Sequence, residues 1–200
     1  MNSTGWDERY SGTDLVWTAE PNRFLVEEVA DLAPGRALDV ACGEGRNAVW
    51  LAGRGWQVTG VDFSAVGLDK ARQLAESRGV VVEWVTADVT RYEPPTEAFD
   101  LVIVLYLHLP SAEIAAALAH ATGALAPGGT LLVIGHDASN LTDGYGGPQH
   151  PRVLYGPDEI VAALGTLTVE RAERVRRPVV TDDGTVDAID VVVRAHREAS

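Results

Sequence analysis

Apolar runs alternate with helix-patterned stretches along most of the chain. Phe24, Leu25, Val29 and Leu32 recur at helical spacing and predict an amphipathic helix over 20–32, stopped by Pro34-Gly35. A strand over 36–42 follows, then a helix over about 46–54, broken by Gly53 and Gly55 before a second strand over 57–62. Ser64 is placed to cap a helix that runs to Ser77 and ends at Arg78-Gly79. A third strand, 80–86, closes on Ala87-Asp88, and the proline-bearing stretch 92–98 reads as a loop. The near-continuous apolar run 100–106 marks a central parallel strand covered on both faces. Ser111 is expected to cap an alanine-rich helix, 112–125, and Ala126-Pro127-Gly128-Gly129 to turn the chain into a fifth strand, 130–135. A long polar loop, 137–156, leads to a short helix over 157–164 opened by Pro157. Two strand-like runs, 167–180 and 186–197, flank Asp182-Asp183-Gly184-Thr185, a hairpin signal. The pattern predicts an α/β fold, a doubly wound, mostly parallel sheet that ends in an antiparallel hairpin.

The chemistry concentrates at the first strand–turn–helix. Asp39-Val40-Ala41-Cys42-Gly43-Glu44-Gly45-Arg46-Asn47-Ala48 runs from an apolar strand through glycines into a helix, and Asp62 closes the second strand 19 residues after Gly43. Glycines that admit close backbone approach, and a carboxylate about 20 residues on, form a nucleoside-binding fingerprint. Gly43-x-Gly45-x-x-Ala48 also satisfies the dinucleotide pattern. A pyrophosphate, however, seeks a helix N-terminus without a nearby carboxylate. S-adenosylmethionine carries a sulfonium and an ammonium, and both favour the acids Asp39 and Glu44. A nicotinamide oxidoreductase is therefore the weaker reading, and it usually needs a further substrate domain.

These residues resemble the class I S-adenosylmethionine-dependent methyltransferases, whose first motif has the form D-x-x-C-G-x-G, and the resemblance covers nearly the whole chain. It implies a Rossmann-like, seven-stranded architecture and an enzyme whose cofactor is S-adenosyl-L-methionine. It implies that Asp39, Gly43, Gly45, Arg46 and Asn47 line the methionine side. Asp62 would take the ribose hydroxyls, and Phe63 would pack on the adenine. Asp88 and Val89 would meet the adenine edge, and Leu105 would end the fourth strand below the sulfonium. Trp6-x-x-x-Tyr10 followed by Trp17 resembles the lid of small-molecule methyltransferases near the tellurite-resistance and thiopurine group. Tyr10 and Trp17 are the candidates for closing over cofactor and acceptor, since an aromatic face tolerates a cation. The alternative is that these aromatics anchor the N-terminal segment on the core.

The chain then reads as one domain, 1–200. It comprises an N-terminal lid and helix (1–33), a cofactor-binding core (36–136), an acceptor-side loop (137–157) and a C-terminal helix and hairpin (158–200). Composition narrows the acceptor. The 200 residues carry a formal charge of −13, and the one dense basic cluster, Arg171, Arg174, Arg176 and Arg177, is interleaved with Glu170 and Glu173. It reads as the solvated face of an edge strand, so no nucleic acid is expected as partner. No apolar run approaches the ~20 residues that cross a membrane, and a single cysteine, Cys42, fits a reducing, cytoplasmic setting. The chain is expected to act as a monomer or homodimer, with the terminal hairpin a candidate dimer surface.

Tyr106, His108, His136, Asn140 and Tyr145, with Trp17, are the candidates for the acceptor wall; Asp137 and His150 lie in the same segment. His108 and His136 follow the fourth and fifth strands, and either can serve as a general base; with Tyr10 they are the candidate catalytic residues. His136, Asp137 and His150 match no standard zinc spacing, so no metal is expected. The N-terminal resemblance points to a soft nucleophile such as a thiol, tellurite or selenite. The alternatives are a phenol or heterocycle methylated on O or N, which needs a base, and a non-catalytic cofactor-binding protein.

Overall fold

In a computed structural model, residues 3–12, 14–16 and 18–199 are described. Seven strands form a single sheet in the order β3-β2-β1-β4-β5-β7-β6. They are β1 (Arg36–Val40), β2 (Gln57–Asp62), β3 (Glu83–Thr86), β4 (Phe99–Leu105), β5 (Leu125–His136), β6 (Thr168–Thr181) and β7 (Gly184–His196). The first five are parallel, and β7 runs antiparallel to both β5 and β6. The doubly wound sheet with its terminal hairpin is therefore present.

Its burial follows from strand alternation. Val102 and Val104 of β4, with Leu131 and Val133 of β5, join one apolar layer together with Ile114, Leu118 and Ile160. Leu101, Ile103 and Leu105, with Leu132 and Ile134, join the opposite layer together with Phe24, Leu25, Ala48 and Leu51. Successive side chains point to opposite faces, so a run such as Leu101–Leu105 is apolar throughout because both faces are roofed. The roof consists of α1 (Ser3–Tyr10), α2 (Arg23–Glu28), α3 (Arg46–Gly53), α4 (Ala65–Ser77), α5 (Ser111–Ala124), α6 (Asn140–Asp143) and α7 (Pro157–Ala163).

Several local expectations change. The helix expected over 20–32 is only Arg23–Glu28, because Asn22 caps it by accepting from the amides of Phe24 and Leu25. Ser111 is the first residue of α5 and makes no capping bond. The turn at 126–129 is drawn into an irregular β5, whose pairing with β4 shifts between Phe99 and Leu101. The polar loop after β5 contains α6 and a 3-10 turn, Pro151–Val153. The basic cluster lies on the edge strand as expected, with Arg174 and Arg176 exposed, while Arg171 and Arg177 are partly buried, and each arginine has an acidic partner. Arg171 pairs with Glu28, Arg174 with Asp137, Arg176 with Asp187 and Arg177 with Asp190. Among the described residues no helix is long and apolar enough to cross a membrane.

Candidate functional site

The strand order reverses between β1 and β4, and in open α/β sheets ligands bind beyond the carboxyl ends of strands at such a point. The turn leaving β1 is conformationally unusual: Ala41, Gly43 and Gly45 all have positive φ (60°, 54° and 75°). A Cβ at Gly43 would lie 2.8 Å from the Tyr10 hydroxyl, and one at Gly45 would lie 2.7 Å from Ala71 Cβ, so backbone conformation and space both require glycine.

Asp39 is 1% exposed, and its Oδ2 is buried without a hydrogen-bond partner. Burial, reinforced by the nearby Asp62 charge, pushes its carboxyl up to about 8. A buried carboxyl oxygen without a protein partner marks a place for a cation or a hydrogen-bond donor. Arg46 is the nearby cationic side chain; desolvation holds its guanidinium below the ordinary value, opposed by the charges of Tyr106 and Asp39.

Asp62 closes β2 as expected and is held rigidly. The amide of Gly43 donates to Oδ2 at 2.8 Å, and the amide of Ser64 donates to Oδ1 at 2.9 Å. Each carboxylate oxygen retains acceptor capacity beyond one amide, so the pair can still receive two hydroxyls. Burial raises its carboxyl in spite of those amides. Half-buried Phe63 follows it. Beyond β3, Asp88 is exposed, and its Oδ1 accepts from both the amide and the hydroxyl of Thr90, which lower its carboxyl. The Val89 side chain is buried in the core.

The N-terminal segment closes this edge of the sheet. Tyr10 is 5% exposed and lies against Gly43 and Gly67, with Trp6 stacked on it at 5.3 Å. Ser64 Oγ donates to Asp7, Lys70 Nζ to the Asp14 carbonyl, and both Lys70 and the Val16 amide to Glu44 Oε1. Glu44 therefore fastens the segment through Oε1. Trp17 lies outside the described residues.

Asn47 has a structural partner. Its Oδ1 accepts the Asn22 amide at 2.9 Å, so it braces the entry to α2. Asn140 is 2% exposed and structural: Oδ1 accepts the Ile189 amide and Nδ2 donates to the Gly146 carbonyl. Tyr145 is half exposed on the loop surface. Asp137 is held by Ser139 and Arg174, and His150 caps the 3-10 turn, so neither joins His136. Among the described residues no three metal-ligating side chains converge. Cys42 is buried, and desolvation pushes its thiol well up, so it packs and does not attack.

Leu105 is buried and ends β4, and the chain then leaves the strand through Tyr106 at φ 56°. A non-glycine residue held there costs about 1–3 kcal/mol and persists where surrounding contacts dictate it. Those contacts are a buried cluster that Asp190 organises. Its Oδ2 accepts from Tyr106 Oη at 2.8 Å and from Arg177 Nε at 2.7 Å. His136 Nδ1 lies 3.1 Å from its Oδ1. The ring N–H is off the straight line, but neither atom has another partner and both are buried, so each can be satisfied only by the other. These bonds outweigh burial and hold the Asp190 carboxyl below its ordinary value. Burial and the Asp190 charge push the Tyr106 hydroxyl well up, so it stays a donor.

His108 stacks on His136 at 5.4 Å and on Tyr155 at 5.5 Å. Its Nδ1 is 3.1 Å from the Val153 carbonyl and must donate, while its Nε2 faces the His136 amide at 3.4 Å. Burial, with His136 adjacent, lowers its pKa to about 4. With both nitrogens engaged and no charge at neutral pH, His108 is a wall of the site and not its base.

Sequence reasoning missed Asp190, Arg177, Tyr155 and Asn22. Asn22 had a readable signal, an asparagine just before an apolar helical run. The others are brought in by β6, β7 and the loop after β5.

Comparisons with known proteins agree with this geometry. Residues 37–129 match the family described as a methyltransferase domain. The demethylmenaquinone methyltransferase of Thermus thermophilus is 38% identical over 125 residues, 62% of this chain and 55% of its own length. The chain thus spans little more than half of that relative. Among solved structures, a protein studied for the conversion of a disulfide bond into a thioacetal group during echinomycin biosynthesis superposes with a TM-score of 0.80. It is 23% identical, with 98% of this chain and 91% of that one covered. The N-methyltransferase NodS of Bradyrhizobium japonicum, in complex with S-adenosyl-L-homocysteine, superposes with a TM-score of 0.71 at 22% identity, covering 98% and 99%. The open carboxyl oxygen of Asp39, the left-handed glycines and the fixed Asp62 fit S-adenosylmethionine, whose cationic end would favour the ionised form of Asp39. Residues 37–129 are thus similar to a methyltransferase domain.

Proposed function

We propose that the chain is an S-adenosylmethionine-dependent methyltransferase acting on a small molecule. The observation that carries this is the partnerless, buried Oδ2 of Asp39 near the carboxyl end of β1, beside the left-handed glycine turn that leads into α3. When bound, the cofactor supplies a methyl group on a cationic sulfur. Asp39 offers a carboxylate to the cationic end, Asp62 orients hydroxyls, and the Tyr10 segment excludes water. The acceptor belongs between the ends of β4 and β5, where Tyr106, His108 and His136 line a wall of mutually packed rings. Alignment of this kind is worth several kcal/mol or more in a displacement reaction.

Two acceptor classes compete. The resemblance of the N-terminal segment favours a soft nucleophile, whereas the histidine beside a buried carboxylate favours an O- or N-acceptor. The Thermus relative, named for demethylmenaquinone, adds quinols to the panel. The test is release of S-adenosylhomocysteine with tellurite, selenite, thiols, phenols, quinols and heterocycles, with Asp62→Ala as control. Release abolished in the variant is expected. Tight cofactor binding with no release from any acceptor would instead identify a non-catalytic cofactor-binding protein.

A further inference from the structure

We infer that His136, positioned by Asp190, is the general base of this site, and that the acceptor is therefore a small molecule methylated on an oxygen or nitrogen that still bears its proton. The inference rests on the methyltransferase reading above and deepens it.

The register of the terminal hairpin builds the pair: His136 at the end of β5 sits directly opposite Asp190 of β7. Facing residues of an antiparallel pair have Cβ atoms roughly 5 Å apart, which is the reach of an imidazole to a carboxylate. Asp190 takes the Nδ1 side of the ring, so the proton resides on Nδ1 and the lone pair on Nε2. Nε2 has no hydrogen-bond partner among the described residues, and it is not among the buried partnerless atoms, so it remains accessible. The ring is also packed against its neighbours. His108 stacks on it, Tyr106 meets it edge-on at 5.0 Å, and Gly147, at φ 74°, approaches so closely that a Cβ there would lie 2.6 Å from the ring.

The titratable and charged groups around it come from β6, β7, the segment after β4 and the loop after β5, which brings Tyr155 against His108. Asp190 is on β7, Arg177 on β6, and Tyr106 and His108 follow β4. Arg177 balances the Asp190 charge, and Tyr106 and His108 are neutral at working pH. His136 thus presents an open ring nitrogen, Nε2, while its other nitrogen faces Asp190. A thiolate or tellurite needs no such group; a phenol, enol or ring N–H does. In the step, the acceptor's electron pair forms the bond to the methyl carbon as Nε2 takes the acceptor proton. The carbon–sulfur bond breaks with its pair on sulfur, which becomes a neutral thioether, and the imidazolium then returns its proton to water.

The test compares wild type, His136→Ala and His136→Gln with catechol, hydroquinone and imidazole as proton-bearing acceptors, and 4-nitrothiophenol as one already ionised at neutral pH. Cofactor affinity is measured in parallel. Expected is a loss of roughly 10²–10⁴-fold in kcat for the proton-bearing acceptors in both variants, with loss of the acidic limb of the pH profile and unchanged cofactor affinity. Turnover of the thiol, where it occurs, should change little. Asp190→Asn, if it folds, should fall the same way. Variants within threefold of wild type on catechol would overturn the inference. So would a wild type that methylates only the thiol, which leaves the methyltransferase reading intact. No turnover of any acceptor despite bound cofactor would overturn both.

Discussion

Asp39→Asn separates stability from binding at the centre of the site. The carboxyl titrates at about 8 in the folded chain and near 4 when unfolded. An acid raised on folding has its stability intact below the lower value and loses it as pH rises through the window from about 4 to about 8. Integrated, that cost is about 4 kcal/mol at pH 7, and it grows by about 2 kcal/mol between pH 6 and pH 8. Asparagine has the same shape and keeps an oxygen for the Ala48 amide that now donates to Asp39. Its NH2 group replaces a partnerless oxygen with a partnerless donor, which costs about 1–3 kcal/mol whatever the pH. The net gain at pH 7 is therefore modest, but the slope is diagnostic. Urea denaturation of both proteins, without cofactor, should show the variant gaining about 2 kcal/mol on the wild type from pH 6 to pH 8. The same substitution should sharply weaken S-adenosylmethionine binding. Parallel pH dependences for the two proteins would refute the argument that Asp39 is buried without a counter-charge.

Gly43→Ala forces a side chain to φ 54° and into the Tyr10 hydroxyl, so it should cost about 1–2 kcal/mol in thermal or chemical unfolding and displace the N-terminal segment. His108, lowered to about 4 by burial, should show ring NMR shifts that stay flat from pH 5.5 to 8. Because its pKa falls on folding, it contributes instability as pH drops below about 6.5, and His108→Gln should flatten that part of the acid limb.

What the sequence discloses tracks what is local. The turn from β1 into α3, Asp62 at its interval, the apolar β4 and the Asp-Gly hairpin are all written in contiguous residues, and each takes its expected place. The N-terminal helix was not legible, because Trp6-Asp7-Glu8-Arg9-Tyr10 carries no apolar period and is held by single contacts to Gly43, Ser64 and Gly67. The acceptor wall was half legible. His108 and His136 stand out as residues at strand ends, but their different roles come from partners distant in sequence: Val153, Asp190 and Arg177. Asp190 sits in a valine-rich strand whose neighbours only the β5–β7 register reveals. Arg177 reads as one of four similar arginines until β6 is paired and its guanidinium meets Asp190.

The most direct test of the account is a calorimetric titration of the wild type and Asp39→Asn with S-adenosylmethionine and, separately, with NAD, at pH 6 and pH 8. The account predicts saturable one-site binding of S-adenosylmethionine only, tighter at pH 8 in the wild type because binding expels the Asp39 proton, and weak in the variant at both pH values. Saturable binding of NAD, or S-adenosylmethionine binding that ignores both the substitution and the pH, would contradict it.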